Sequence, residues 1–180
     1  MARTESIVEN HLHETEARWF AVYTKYKREK VIRKDLMRKG IEVYLPIQTV
    51  VRQYTSRKKT FELPLISCYV FVKITKGQYL PVLQTENVVK FVRIAKNLIA
   101  IPQREMDLLK QIVGEGIPVE AEPMRRLHEG DAVEIIGGRL TGLRGVLVDQ
   151  HGDKQMVVDL ENMGYSLRLT VDSTLLRRLE

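Results

Sequence analysis

Apolar and polar positions recur with a period that changes along the chain, and each change marks a predicted element. Trp19-Phe20-Ala21-Val22-Tyr23-Thr24 is a compact aromatic and β-branched run, the composition of a buried strand. From Tyr26 to Lys39 the residues Val31, Ile32, Leu36 and Met37 fall on one side of a helix at spacings of four and five, and Gly40 stands where a C-cap belongs. Ile41 to Val51 reads as a strand, with Pro46 implying an edge or a bulge. A polar hairpin with its tip at Ser56-Arg57-Lys58-Lys59 then leads into Cys68-Tyr69-Val70-Phe71-Val72-Lys73-Ile74, the strongest strand signal in the chain. A short helix near Gln78 to Gln84, a strand at Val88 to Ile94 and a helix from Pro102 to Val113 follow. The order β-α-β-β-α-β with an added helix predicts an α+β, ferredoxin-like sandwich with its helices on one face of an antiparallel sheet.

Past this point the pattern becomes all-β. Strand-like runs at Ala132 to Ile136, Gly145 to Gln150, Gln155 to Leu160, Ser166 to Val171 and Leu175 to Leu179 are separated by glycine-rich turns. Five short strands in so few residues suit a small SH3-like β-barrel, whose closure removes exposed edges. Between the two halves, residues 116–126 combine glycine, proline and balanced charge, the composition of an exposed linker. Residues 1–17 carry Glu5, Glu9, Glu14 and Glu16 with no apolar period and read as a flexible or weakly helical acidic tail. The expected organisation is therefore a tail, an α+β domain over 18–115, a linker over 116–126 and a barrel over 127–180.

Charge sharpens this division. The chain of 180 residues has a formal net charge of +6, which points to a polyanionic partner without locating the contact. Between Arg18 and Glu115 there are 20 Lys and Arg against 8 Asp and Glu, whereas Leu127 to Glu180 has 6 against 9. Only the first module should favour phosphates. The single cysteine, Cys68, cannot form an internal disulfide, and no apolar window is long enough to span a membrane, so a cytoplasmic chain is expected.

Catalytic chemistry finds little to stand on. The four histidines, at 11, 13, 128 and 151, lie in the tail and at turns, and neither HExxH nor a nucleophile elbow occurs. His11 and His13 are spaced to share a metal, but without a supporting carboxylate or cysteine the solvated tail is the favoured reading, and no metal or cofactor is expected. The run from Gly130 to Val146 invites comparison with a phosphate-binding loop, yet it lacks Lys-Ser or Lys-Thr after its last glycine, and Gly145 opens a strand rather than a helix. Its glycines fit barrel corners better.

That same run, with its apolar stretch, paired turn glycines, Gly142 and Gly145, resembles a KOW motif. Upstream, Trp19-Phe20-Ala21-Val22-Tyr23, the basic helix, Tyr44-Leu45-Pro46, the basic hairpin, Pro64-Leu65, Tyr69-Val70-Phe71-Val72, Phe91-Val92-Arg93 and Ile101-Pro102 follow one another as in the N-terminal domain of NusG-type factors. The resemblance to the NusG family covers nearly everything after the tail. Two departures, Ile66-Ser67-Cys68-Tyr69 where many relatives have Phe-Pro-Gly-Tyr or Phe-Pro-Asn-Tyr, and Glu86-Asn87 where NusG has Pro-Gly, resemble a specialised paralogue of the RfaH or UpxY kind.

What the resemblance implies is a non-enzymatic, monomeric transcription elongation or antitermination factor that rides on RNA polymerase. An apolar depression would grip the clamp helices of the largest catalytic subunit, carried here by Ile66, Tyr69, Phe71, Phe91 and Ile94. Lys25, Lys27, Arg28, Lys34 and Arg38 near the first helix, with Arg52, Arg57, Lys58 and Lys59 in the hairpin, would face upstream DNA and the non-template strand. Such phosphate contacts add salt-sensitive affinity. In the barrel, Leu140, Leu143, Met163, Tyr165 and Leu167, with Gly164, match positions through which relatives contact Rho or the ribosomal protein NusE. The seven glycines from Gly130 to Gly164 disfavour the helical barrel form known from RfaH. The rival is a KOW-containing RNA-binding or ribosome-associated protein, whose mark would be a basic barrel; this one is mildly acidic.

Overall fold

The computed structural model describes residues 8–124, 130–150 and 153–179. In chain order the elements are β1 (Arg18–Thr24), α1 (Glu29–Arg38), β2 (Glu42–Tyr44), β3 (Ile47–Gln53), β4 (Lys58–Pro64), β5 (Tyr69–Ile74), α2 (Tyr79–Leu83), β6 (Val88–Phe91), α3 (Gln103–Gly114), β7 (Val119–Pro123), β8 (Asp131–Ile135), β9 (Arg144–Gln150), β10 (Asp153–Leu160), β11 (Tyr165–Leu169) and β12 (Leu176–Arg178). They divide into two compact units, one built from residues up to 45 and 67–103, the other from 46–66 and 104 onward. The expected boundaries at 115 and 126 do not coincide with this division, because the hairpin and α3 group with the C-terminal strands.

The first unit holds a four-stranded sheet of order β2-β5-β1-β6 with antiparallel pairs, the ferredoxin-like arrangement anticipated from the pattern. Its register sets Phe20 opposite Val72, and Val22 opposite both Val70 and Phe91. Partners directly opposite share a face, so these side chains make one buried layer. Helix α1 lies against β2 and β5, and α2 against β6. The buried stripe of α1 is narrower than expected: Ile32 and Leu36 are sealed, whereas Val31 and Met37 are exposed. Four residues bring a side chain back to nearly the same face, and one residue further moves it about 100° round the helix. Burying Ile32 and Leu36 stabilises the helix by about 1.5–3 kcal/mol each.

Three predicted segments differ in outline. Ile41 to Val51 is two strands, not one: β2 pairs with β5 and β3 with β4, and Leu45 and Pro46 lie between them. The strand expected up to Ile94 ends at Phe91, and Ile94 instead closes a tight turn with Asn97 through Ala95 and Lys96, both at positive φ. The described part, residues 8–17, of the tail expected over 1–17 as flexible or weakly helical is docked through its backbone at 9–13 and bends at 14–16. Leu98 N donates to Glu9 O and His11 N to Leu98 O, each at 2.9 Å, and Lys76 N donates to His13 O at 2.8 Å. Backbone pairing of this kind needs no apolar period, so the pattern gave no sign of it.

Two residues without a glycine's freedom adopt left-handed backbone beside the strands β5 and β6, Cys68 with φ 63 and Asn87 with φ 70. Asparagine tolerates this region; cysteine does so at a cost. Cys68 is held there from both sides, its N–H donating to the buried Glu29 Oε1 at 2.8 Å and its carbonyl accepting from Thr24 N at 2.9 Å.

The second unit contains the β3–β4 hairpin, α3 and a six-stranded antiparallel sheet of order β12-β8-β9-β10-β11-β7. Five strands fall where the sequence placed them. The sixth, β7, corrects both the strand number and the linker: Val119 to Pro123 pairs with β11 along its whole length. Val-Glu-Ala-Glu alternates with period two, Val119 is buried, and Glu122 pairs with Arg168 at 2.7 Å. Gly145 is required by packing, since a Cβ there would collide with the Val157 carbonyl of β10. At the other end, Glu134 accepts from Arg177 at 2.6 Å and Arg144 at 3.5 Å, and these contacts, Arg177 foremost, hold its carboxyl below the usual range.

Two measurements check these local accounts. Cys68→Gly keeps the N–H bond to Glu29 and removes the left-handed penalty, so stability should rise by up to about 1 kcal/mol, read as a higher Tm; a lower Tm would mean that the thiol's packing outweighs the backbone. Glu134 has a depressed folded pKa, so its contribution is present above the unfolded carboxylate value, near pH 4.3, and is lost as pH falls through the folded one. Glu134→Gln should therefore flatten the acid limb of Tm against pH between about pH 5 and 3.

Candidate functional site

One end of the four-stranded sheet gathers the side chains best suited to contact a partner. Tyr23 at the end of β1 stands directly opposite Tyr69 at the start of β5, and their rings meet edge to face at 5.6 Å and 84°. Neither is sealed: Tyr69 is half-buried and Tyr23 is 36% exposed. The chain leaving β1 is anchored at this end because Thr24 N donates to Cys68 O and Lys25 N to Asn87 O, both at 2.9 Å. Lys25, Tyr26, Lys27 and Arg28 then project as an exposed run, with the Lys27 ammonium 5.1 Å from the Tyr26 ring centre. Tyr26 is 67% exposed. Sequence reasoning counted it only as the start of the helix, although an aromatic interleaved with cations is itself a nucleic-acid signal.

The five residues expected to grip the polymerase are not brought together. Phe71 is fully buried, and Ile66 is buried in the second unit. Phe91 is buried on the opposite face of the sheet from Tyr69, stacked on Tyr79 at 4.5 Å and edge-on to Phe20 at 6.4 Å, because its register partner is Val22 rather than Tyr23. Ile94 is exposed, but lies beyond Val92, which bonds to Ala21, and so towards the far end of β1. Of the five, Tyr69 alone presents surface at the aromatic end, and its partner there is Tyr23.

The nine candidate cations are all exposed, in two groups. Lys25, Lys27, Arg28, Lys34 and Arg38 belong to the first unit and Arg52, Arg57, Lys58 and Lys59 to the second. Arg38 pairs with Asp35 at 3.1 Å. Among the described residues none of the other eight has a carboxylate within ion-pair distance. Arg52 and Lys59 instead flank the Phe61 ring at 5.7 and 5.3 Å from its centre, on one face of the hairpin. The C-terminal arginines behave differently: Arg139 pairs with Glu115, Arg144 and Arg177 with Glu134, Arg168 with Glu122 and Arg178 with Asp131. Their charge is spent within the fold.

In the C-terminal sheet the five expected partner residues also divide. Leu140, Met163 and Leu167 are core side chains, whereas Leu143 and Tyr165 are half-buried. Buried side chains of this kind plug the sheet and offer no contact area. Gly164 turns the chain between β10 and β11 at φ 72.

Burial pushes the Tyr44 hydroxyl up to about 12. His11 and His13 are engaged with backbone, His11 Nδ1 accepting from Ala100 N at 3.2 Å and His13 Nδ1 from Glu16 N at 2.9 Å. His128 and His151 lie outside the described residues. No metal-holding cluster occurs among the described residues, and no described helix is long and apolar enough to cross a membrane.

The family model described as "NusG: Transcription termination factor nusG" matches residues 17–110. A solved structure described as "Domain interaction in Thermotoga maritima NusG" superposes with a TM-score of 0.54 at 21% identity, covering 92% of this chain and 98% of that one. Another, described as "Crystal Structure of MjSpt4:Spt5 complex conformation A", gives a TM-score of 0.32 at 21% identity, covering 90% and 98%, a superposition too partial to argue from. No curated protein matches. With more than half of its residues matched by the family model, the chain belongs to the NusG family of transcription factors.

Proposed function

We propose that this chain is a non-catalytic elongation or antitermination factor that docks on the clamp helices of bacterial RNA polymerase through the sheet end carrying Tyr69 and Tyr23. The observation that supports it most is the exposed edge-to-face tyrosine pair beside an unpaired basic run. Aromatic side chains offer large contact area at low entropic cost and concentrate binding energy. Ile94, at the far end of β1, is a peripheral contact in this reading, while Ile66, Phe71 and Phe91 support the strands from inside.

Lys25, Lys27, Arg28 and Lys34, with Arg38 beside them, would meet upstream DNA or the displaced non-template strand, and the hairpin cations would add phosphate contacts. Attraction to phosphate needs cations not already neutralised by carboxylates, which is the condition of these residues apart from Arg38, paired with Asp35, and not of the C-terminal arginines. The same contrast weighs against the RNA-binding or ribosome-associated alternative, which would place free cations on the C-terminal sheet. There, Leu143 and Tyr165 would contact a second protein such as NusE or Rho. By binding the closed clamp more tightly than the open one, the factor would reduce pausing, and only by as much as those two affinities differ.

Two measurements on the full chain test this. Tyr69→Ala should weaken binding to core RNA polymerase by about 30-fold, the size of a 2 kcal/mol hot spot, with Tm shifted little because the ring is half-exposed; wild-type affinity in a folded variant would remove the docking surface. The triple change Lys25→Glu, Lys27→Glu, Arg28→Glu should lower the salt slope of binding to an elongation complex by about 2 to 3. An unchanged slope would make that run a solvated surface.

A further inference from the structure

Among the described residues, one whole edge of β3 has no partner. The strand pairs with β4 alone, and the bonds at either end of the hairpin fix which groups that pairing uses. Leu65 N donates to Pro46 O at 2.8 Å, and Tyr54 and Arg57 exchange bonds at 2.9 and 3.3 Å. Hydrogen-bonded pairs alternate along an antiparallel ladder, so Gln48, Val50 and Arg52 turn their N–H and C=O towards β4, and Ile47, Thr49 and Val51 turn theirs outward. The outer edge of β4 is protected, since it carries Lys58, Glu62 and Pro64. That of β3 has neither charge nor proline between Ile47 and Val51, and Val51 is 59% exposed.

Ile47, Thr49 and Val51 line a cavity of about 470 Å³ whose far wall comes from the start of β7 and the chain before it, through Ile117, Val119 and Glu120. All of these residues lie in the second unit. Strand β7 is itself the last of its sheet. Pro118 O accepts from Thr170 N at 3.2 Å and Met124 N donates to Gly164 O at 3.0 Å, so Val119 also turns its edge groups away from its neighbour β11. Ile117 and Val119 make that wall apolar. Among the described residues Glu120 is the one charged side chain on the lining; it is exposed, and its register partner Arg168 pairs with Glu122 instead.

The order of the polar groups decides what fits. A small ligand is held by a few polar groups that converge on it. Here the free groups stand in a row, one N–H and C=O set at every second residue, about 7 Å apart, a spacing that another extended backbone matches. A two-stranded hairpin is marginal in water by itself, so a third strand adds stability as well as bonds. The carboxylate on the lining selects a cation.

We infer that the β3 edge is a docking site for an extended peptide of a partner protein, which adds a strand beside Ile47, Thr49 and Val51, lays apolar side chains against Ile117 and Val119, and sets a lysine or arginine at Glu120. This goes beyond the contacts assigned above to the tyrosine end, the basic residues and the C-terminal sheet, and none of its residues is among them.

The test uses the full chain and the synthetic peptide Thr-Val-Thr-Val-Lys-Val-Thr, read by amide hydrogen exchange. In the free chain the Thr49 and Val51 amides should exchange about 10-fold faster, or more, than those of Val50 and Arg52. Saturating peptide should slow Thr49 and Val51 by about the same factor and leave Thr60 and Glu62, on the far edge of the hairpin, unchanged. Replacing the peptide's lysine by glutamate should weaken binding several-fold, and Glu120→Lys should reverse that preference. Thr49→Pro removes an outward N–H at a position an edge strand tolerates, and should abolish binding with the fold kept. If that variant does not fold, a peptide N-methylated throughout, which cannot pair, decides the same point by failing to bind. No protection of Thr49 and Val51 at millimolar peptide, protection along β4 instead, or equal binding of the N-methylated peptide would overturn the site. Protection that rises with chain concentration alone, with a dimer in sedimentation, would give the edge to a second copy and overturn the peptide reading.

Discussion

Pairing of β1 with β5 in one register is the constraint on which the first unit depends. The six paired residues from Arg18 with Ile74 to Tyr23 with Tyr69 place Phe20, Val22, Val70 and Val72 on a single buried face. A slip of β1 by one residue against β5 would carry Phe20 and Val22 off that face and turn Tyr23 towards it. Because the pairing ends on the tyrosines, the aromatic contact surface and the hydrophobic layer are two consequences of one alignment.

That alignment is held by the turn entering β5. Cys68 sits in a left-handed conformation that its side chain opposes, and the buried Glu29 carboxylate at the start of α1 accepts its N–H. Thr24 N reaches the same residue's carbonyl. Helix α1, the turn and the end of β1 meet at Cys68, so the tyrosine pair and the basic run leaving β1 are positioned by the same few bonds. A backbone cost here is offset by hydrogen bonds that no flexible loop would keep, which is the usual condition for strain near a binding surface.

Much of this was legible in the residues. Strand positions, the helix order and five of six C-terminal strands follow from periodicity, because long apolar alternation has few other uses. Strand β7 escaped because Gly116, Pro118 and Pro123 frame it as a linker while its Val-Glu-Ala-Glu alternation is only four residues long. The docking of residues 9–13 escaped because it is carried by backbone groups, which every residue owns. At the aromatic end, alternation correctly separated Tyr69 from Val70, but it could not show that Phe71, two residues on, would be sealed, nor that the register would send Phe91 to the opposite face. The basic residues were found as a group; which of them carry unspent charge depends on where each carboxylate folds, and the contrast between Lys25 and Arg144 is visible only in three dimensions.

The central claim is that the Tyr23–Tyr69 end meets the polymerase clamp. A photo-crosslinking phenylalanine analogue placed at position 69 of the full chain, assembled with core RNA polymerase and irradiated, reads the contact directly. The account predicts a crosslink mapped to the clamp helices of the largest catalytic subunit, with none from the same probe placed at the exposed Met37. A crosslink from position 69 to another subunit, or an equal yield from position 37, would contradict it.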